Sequence, residues 1–227
     1  MDTSSFNYFK IALSNKKNWG VAKANINFSG DLFKKAEVQA EKKSKYTMHS
    51  DQRGKFRNDG IKFQKQLMGT LAEIYVEEYL KEIVRDFKLN KCWTIERYDD
   101  VRTDEFKSPE NEYDIRICHL EKDINFMVES RSSICYDRSL VKSIHQFDII
   151  GPYISNSKNF EKPNDIYIRP LYEYQDFKEN NYHPVAFKEF LKQGKINLYI
   201  VAGCSKRRLK DLGYDKNMGQ GSTKYRV

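Results

Sequence analysis

The sequence predicts an α/β protein, and three observations predict it. Two segments, Glu112–Leu120 and Ile124–Ser133, alternate apolar and polar residues as half-buried strands do, with the charged "EKD" between them as a turn. A long helical period runs from about Ile61 to Phe87. After the paired segments come three apolar runs, "IHQFDIIGPYI", "DIYIRPLYEY" and "INLYIVAG". Between the last two, "HPVAFKEFLKQG" opens on Pro184 and closes on Gly194, as a helix does. Strands that alternate with helices indicate an α/β sheet.

Taken in order, the first element expected is a helix from Ser5 to Asn15, followed by a loop at "NKKNWG". A second helix is expected after Ser29, with Asp31 in its first turn, ending near Lys45. "MHSDQRGKFRNDG" reads as a loop, because Gly54 and Gly60 bracket Arg53, Lys55 and Arg57 with no apolar period. In the long helix Phe63, Leu67, Leu71, Ile74, Tyr75, Tyr79 and Ile83 recur at three- and four-residue steps, and Glu73 lies at the edge of that stripe. "INLYIVAG" is apolar almost throughout, as expected of a central strand. The tail is polar and basic and stops on a strand-like "TKYRV".

At 227 residues the chain suits one domain, 1–227, with a basic N-terminal helical region (about 1–60) and a basic C-terminal tail (about 204–227). Hydrophobic residues at 39 % and aromatic residues at 14 % are enough for a sizeable core. No run approaches 18 apolar residues and the N-terminus has no apolar signal core, so no membrane partner is expected. Cys92, Cys118, Cys135 and Cys204 show no CxxC and no zinc spacing, which suits reduced thiols in the cytoplasm. The sequence has no P-loop, no Gly-x-Ser-x-Gly elbow and no HExxH.

The net charge of +8 is unevenly placed. Phe33–Arg57 carries eight Lys/Arg against three Asp/Glu, and Cys204–Val227 carries seven against two, so the remainder is slightly acidic. Basic arms around an acidic centre suit a phosphate backbone held around a metal, although Lys-rich helices are often merely solvated.

The acidic centre has a specific candidate. If the turn between the paired strands centres on Glu121 and Lys122, Asp114 lies directly opposite Glu129. Such pairs share a face with Cβ atoms about 4.5–5.5 Å apart. Arg131, two residues past Glu129, points to the same face. Two readings fit these three residues. They form either a solvated sheet face with Arg131 as a salt-bridge partner, or two carboxylates that hold a divalent metal against a phosphate. Met127 and Val128 run the second strand into a core, where a carboxylate needs a compensating cation, and this favours the metal.

An acidic residue at the start of one strand, a short hairpin and "VESRSS" on the next resemble the PD-(D/E)XK nucleases, and "GTLAEIYVEEYL" resembles the upstream helix that lends those enzymes a further Glu. Tyr113 stands where the family has Pro, and Arg131 where it has Lys. The resemblance covers roughly Gly69 to Gly203. It implies a mixed β-sheet flanked by helices, a restriction-endonuclease-like core, and Mg²⁺ as cofactor. It also implies Asp114 and Glu129 as metal carboxylates, the Ser130 carbonyl as a further ligand, and Glu73 on a second metal or a water. Arg keeps its charge and is no base, so Arg131 would neutralise the phosphate while metal-bound water attacks.

The activity expected is that of a type II restriction endonuclease, a homodimer that cleaves double-stranded DNA. Alternatives are a structure-selective repair or recombination nuclease and a DNA-binding protein without catalysis. Arg53, Lys55, Arg57, Lys206, Arg207, Arg208 and Lys224 are candidate DNA contacts. Three polar loops, His49–Asp59, Ser155–Asn164 and Asn217–Lys224, offer Gln52, Asn58, Asn156, Asn159, Asn164, Asn217 and Gln220 for reading adenine.

Overall fold

The structure, a computed structural model, describes residues 5–12, 18–50, 56–107, 113–135, 139–145, 147–154, 162–175, 186–217 and 224–227. In chain order the first half holds β1 (Phe6–Ala12), β2 (Asn18–Ala24), α1 (Asp31–Tyr46), α2 (Asp59–Asp86), β3 (Trp93–Arg97), α3 (Tyr98–Val101), β4 (Ile115–His119) and β5 (Asn125–Ser130). The second half holds β6 (Ser133–Cys135), α4 (Leu140–His145), β7 (Tyr153–Ile154), β8 (Ile166–Tyr174), α5 (Phe187–Lys192), β9 (Ile196–Ser205), α6 (Lys206–Leu212), β10 (Asp215–Asn217) and β11 (Lys224–Arg226).

Among the described residues eight strands form one mixed sheet in the order β1–β2–β9–β8–β5–β4–β3, with β6 also on β8. Its pairings are antiparallel except where β5 and β6 run parallel to β8. A small antiparallel sheet, β10–β11–β7, stands beside it. The molecule is therefore mixed α/β, as expected. No helix among the described residues is long and apolar enough to cross a membrane.

The N-terminal helix is a correction. Phe6–Ala12 is a strand paired with Asn18–Ala24, from Phe6 opposite Ala24 to Ala12 opposite Asn18. "FNYFKIA" is rich in aromatic residues that fit a pleated surface, and β2 ties the hairpin to β9 at Ala22 and Lys23. A single short segment has no periodicity strong enough to outweigh that pairing. The basic N-terminal region is therefore a hairpin followed by α1, not wholly helical.

The long helix lies where its periodicity placed it. The Asn58 side chain caps it by accepting from the Ile61 amide at 2.8 Å. Leu67, Leu71 and Ile74 are fully buried and share one core with Phe33 of α1 and with Ile115, Val128, Tyr172 and Leu198 of the sheet. The opposite side holds a second, smaller core around Leu140 and Ile144 of α4 and Leu171, Tyr199 and Val201. Of the three apolar runs, the second and third are β8 and β9, while the first divides between α4 and β7. β9 is interior, between β2 and β8. Gly194 closes α5 with a φ of +69°, which a side chain would strain.

The β5–β8 contact has a feature set by one residue. Val128 faces Ile166 and Ser133 faces Leu171, the same offset of 38 residues on either side of Arg131 and Ser132. β5 and β6 are thus one line of chain interrupted opposite Pro170, which has no N–H to give the ladder. The β8–β9 pairing shifts register at the same place, between Arg169 and Pro170.

Candidate active site

The hairpin register puts the two carboxylates together. Ile115 faces Val128 and Cys118 faces Asn125, so Asp114, one residue before β4, stands opposite Glu129. The Ser130 amide donates to Asp114 Oδ2 at 2.7 Å, and the Asp114 carbonyl accepts from the Tyr98 amide at 2.9 Å. The side chain and the backbone of Asp114 are both fixed. Burial, then the negative charges of Glu129 and Glu73, hold the Asp114 carboxyl well above the usual carboxylate range, against the Ser130 amide and the Lys43 charge. A buried carboxyl opposed by two nearby carboxylates is electrostatically costly.

Glu129 is held from two sides. Arg131 Nη2 lies 3.2 Å from its Oε1, and Asn164 Nδ2 donates to its Oε2 at 2.8 Å. The Asn164 amide in turn donates to Tyr167 Oη at 2.9 Å. Asn164 is buried, which makes it an orienter of Glu129 instead of the exposed base-reading residue its polar loop suggested. The Arg131 guanidinium also lies over the Tyr225 ring at 5.7 Å, which brings the C-terminal strand to the site. Tyr113 is buried and donates to Glu96 at 3.3 Å.

Glu73 faces cations that nothing local in the sequence pairs with it. Lys43 of α1 lies 3.3 Å from its Oε2, and Arg97 at the end of β3 lies 3.5 Å from the same atom. Arg97 is fully buried and also holds Asp99 at 3.2 Å and Gln39 at 2.9 Å, while Lys43 pairs with Asp99 as well. Glu73 is therefore anchored in an ionic network behind Asp114, near enough for its charge to act there. Lys43 sits in "EKKSK", which in sequence looks like a solvated face, and nothing local marks it as buried.

Among the described residues no group of three or more His, Cys, Asp and Glu side chains gathers closely enough to hold an ion. The carboxylates that do face each other, Asp114 and Glu129, offer hard oxygens. Mg²⁺ is bound by one or two carboxylates and several waters, so this set fits it. The buried Ser130 hydroxyl has no hydrogen-bond partner among the described residues.

The basic candidates divide. Lys206 opens α6, where its amide donates to the Asp165 carbonyl at 2.7 Å, next to Asn164. It lines a cavity of about 340 Å³ with Pro163, Tyr167, Lys210 and Arg226. Arg207 and Arg208 are exposed on the same helix, with Arg207 at 3.7 Å from Asp211. Lys224 is exposed on β11, opposite Asn217 and Ile154. Arg57 lies beside His49, whose carbonyl accepts from its amide at 2.6 Å. Arg53, Lys55, Gln52, Asn156, Asn159 and Gln220 lie outside the described residues.

No family profile matches the chain, and no solved structure matches it. It is similar to a protein of Methanocaldococcus jannaschii described as the uncharacterized protein MJECS01, with 23 % identity over 244 residues, spanning 98 % of this chain and 84 % of that protein.

Proposed function

We propose that the chain is a Mg²⁺-dependent endonuclease of the PD-(D/E)XK type that cleaves double-stranded DNA, acting as a homodimeric type II restriction enzyme. The observation that supports this best is the opposed pair of Asp114 and Glu129, with Asp114 held protonation-prone by burial and then by its acidic neighbours. Carboxyls perturbed in this way cluster at functional sites. The mixed sheet with its β4–β5 hairpin beside a parallel β8, and α2 behind it, supports the family assignment.

Mg²⁺ held there would supply an acidified water and a Lewis acid for the phosphoryl oxygen. Asp114 and Glu129 would hold it, with the Ser130 carbonyl as a third oxygen. Asn164 holds one oxygen of Glu129 in place. Arg131 stays charged at every working pH, so it offsets charge that builds up on the phosphate and takes no proton.

The Glu129–Arg131 ion pair also suits the rival reading, a DNA-binding protein without catalysis. A digest decides between them. Supercoiled plasmid incubated with the protein should be cut in Mg²⁺ and left intact in EDTA, and Asp114→Ala or Glu129→Ala should abolish cutting without abolishing DNA binding. Discrete fragments indicate site-specific cleavage, whereas cutting confined to junction substrates indicates the repair nuclease. Full activity in either variant would overturn the assignment of the site.

A further inference from the structure

We infer that Arg169 and Arg131 form a two-guanidinium cradle for a phosphate group, with Arg169 as a phosphate-binding residue. That the phosphate belongs to a DNA backbone rests on the function proposed above. The placement follows from the β5–β8 register. Ser130 faces Ile168 and Ser133 faces Leu171, and the Arg131 amide donates to the Ile168 carbonyl at 3.0 Å. The backbones of Arg131 and Arg169 therefore lie side by side on adjacent parallel strands. Arg169 Nε donates to Ser133 Oγ at 2.9 Å, and Ser133 lies two residues beyond Arg131, so the guanidinium of Arg169 is on the Arg131 face of the sheet.

A buried arginine without a carboxylate partner is costly to a fold. Arg169 is buried enough to push its guanidinium down to about 10, against the pull of Asp148. Its partners are neutral: the Ser133 hydroxyl, the Asp148 backbone carbonyl that accepts from Nη1, and the Phe147 ring at 4.6 Å. Among the described residues no carboxylate lies within ion-pairing distance of it. The Asp148 carboxylate is taken by Lys216 and accepts from Tyr214 Oη at 3.4 Å. Arg131, by contrast, already balances Glu129.

A desolvated arginine with only neutral partners, next to a second arginine and one strand from a pair of metal-type carboxylates, has the chemistry of an anion site. The planar forks of two guanidiniums suit the tetrahedral oxygens of a phosphate, which accept charge-assisted hydrogen bonds. Ser133 and Asp148 hold the Arg169 fork in place, and the Phe147 ring covers it.

The test uses the full chain and inorganic phosphate as the probe. Melting is measured with phosphate and with chloride at equal ionic strength. Phosphate should raise the wild-type Tm. That rise should vanish in Arg169→Met and shrink in Arg169→Lys, which keeps a charge but loses the fork. Should Arg169→Met fail to fold, Arg169→Lys carries the test. A second measurement is affinity for a mixed-sequence duplex in EDTA, where Arg169→Lys should weaken binding about tenfold or more, the worth of a hydrogen bond to a charged group. No phosphate shift in the wild type, or an undiminished shift in Arg169→Lys, overturns the cradle. A phosphate shift that depends on Arg169, in a protein that never cuts DNA, supports the cradle and sinks the nuclease reading instead.

Discussion

Asp114→Asn should make the metal-free protein more stable while it removes cleavage. The substitution takes away a buried negative charge that Glu129 and Glu73 both oppose, and it keeps the shape and the acceptor that receives the Ser130 amide at 2.7 Å. It forfeits the attraction of Lys43, which is committed to Glu73 and Asp99 in any case. Relief of a desolvation penalty of about 1–3 kcal/mol is the scale to expect. For a chain of this length that corresponds to a rise in Tm of roughly 2–12 °C. The pH dependence has a definite sign. A carboxyl whose folded pKa is raised adds stability that is fully present below the ordinary carboxylate pKa and is lost as pH rises through the folded value. The variant's advantage should therefore be largest at pH 8 in EDTA and should close as the pH falls through the raised pKa of Asp114, where the wild type becomes neutral too. Saturating Mg²⁺ should reverse the ranking, since a ligand at a hundred times its Kd adds about 2.7 kcal/mol to the form that binds it. Calorimetric scans of both proteins in EDTA and in Mg²⁺, at several pH values, provide the measurement. A variant less stable than the wild type at pH 8, or a difference that does not change with pH, would refute the idea that Asp114 is held at an electrostatic cost.

Three further outcomes are expected. Arg97→Met leaves Glu73 and Asp99 to share Lys43 in a buried network and should cost about 3 kcal/mol, the lower end for breaking a buried pair, read as a lower urea midpoint; a loss below 1 kcal/mol would mean the network is solvated. Asn164→Ala frees one oxygen of Glu129 and should weaken Mn²⁺ binding by about 10- to 100-fold in a calorimetric titration, as loss of an outer partner does, whereas unchanged affinity would leave Asn164 as packing only. Neutralising Lys206, Arg207 and Arg208 together should flatten the log K versus log salt slope by about 0.9 for each true phosphate contact, and an unaltered slope would reduce them to solvated surface.

What the sequence revealed of this site depended on how far apart the partners lie along the chain. The Asp114–Glu129 register was legible because a tight turn at Glu121 and Lys122 and the alternation on either side fix it locally. The helix that carries Glu73 was legible because its stripe runs for many turns. The strand at Phe6–Ala12 was not, because its conformation is decided by β2 and, through β2, by β9 far along the chain. Lys43, Arg97 and Arg169 were invisible for the same reason. A charged residue in a polar run and an arginine beside a proline acquire meaning only once the sheet is assembled. Asn164 was noticed for the wrong property, since its loop position suggested exposure and its amide instead orients a carboxylate.

The shared offset of β5 and β6 on β8 makes the chain unequal in its tolerance of length changes. Only Arg131 and Ser132 separate the two strands. One extra residue there would turn Ser133 and Cys135 to the opposite face. Arg169 would lose the hydroxyl that fixes its Nε, and Cys135 would leave the smaller core. Residues added between Ile154 and Lys162 leave both pairings in register, because β8 is joined to them through space and not through the count of residues between. A scan of single-residue insertions, read by soluble expression, should find the first position closed and the second open. In a lineage of such proteins, lengths would drift in the connection before β8 and stay fixed between Ser130 and Ser133.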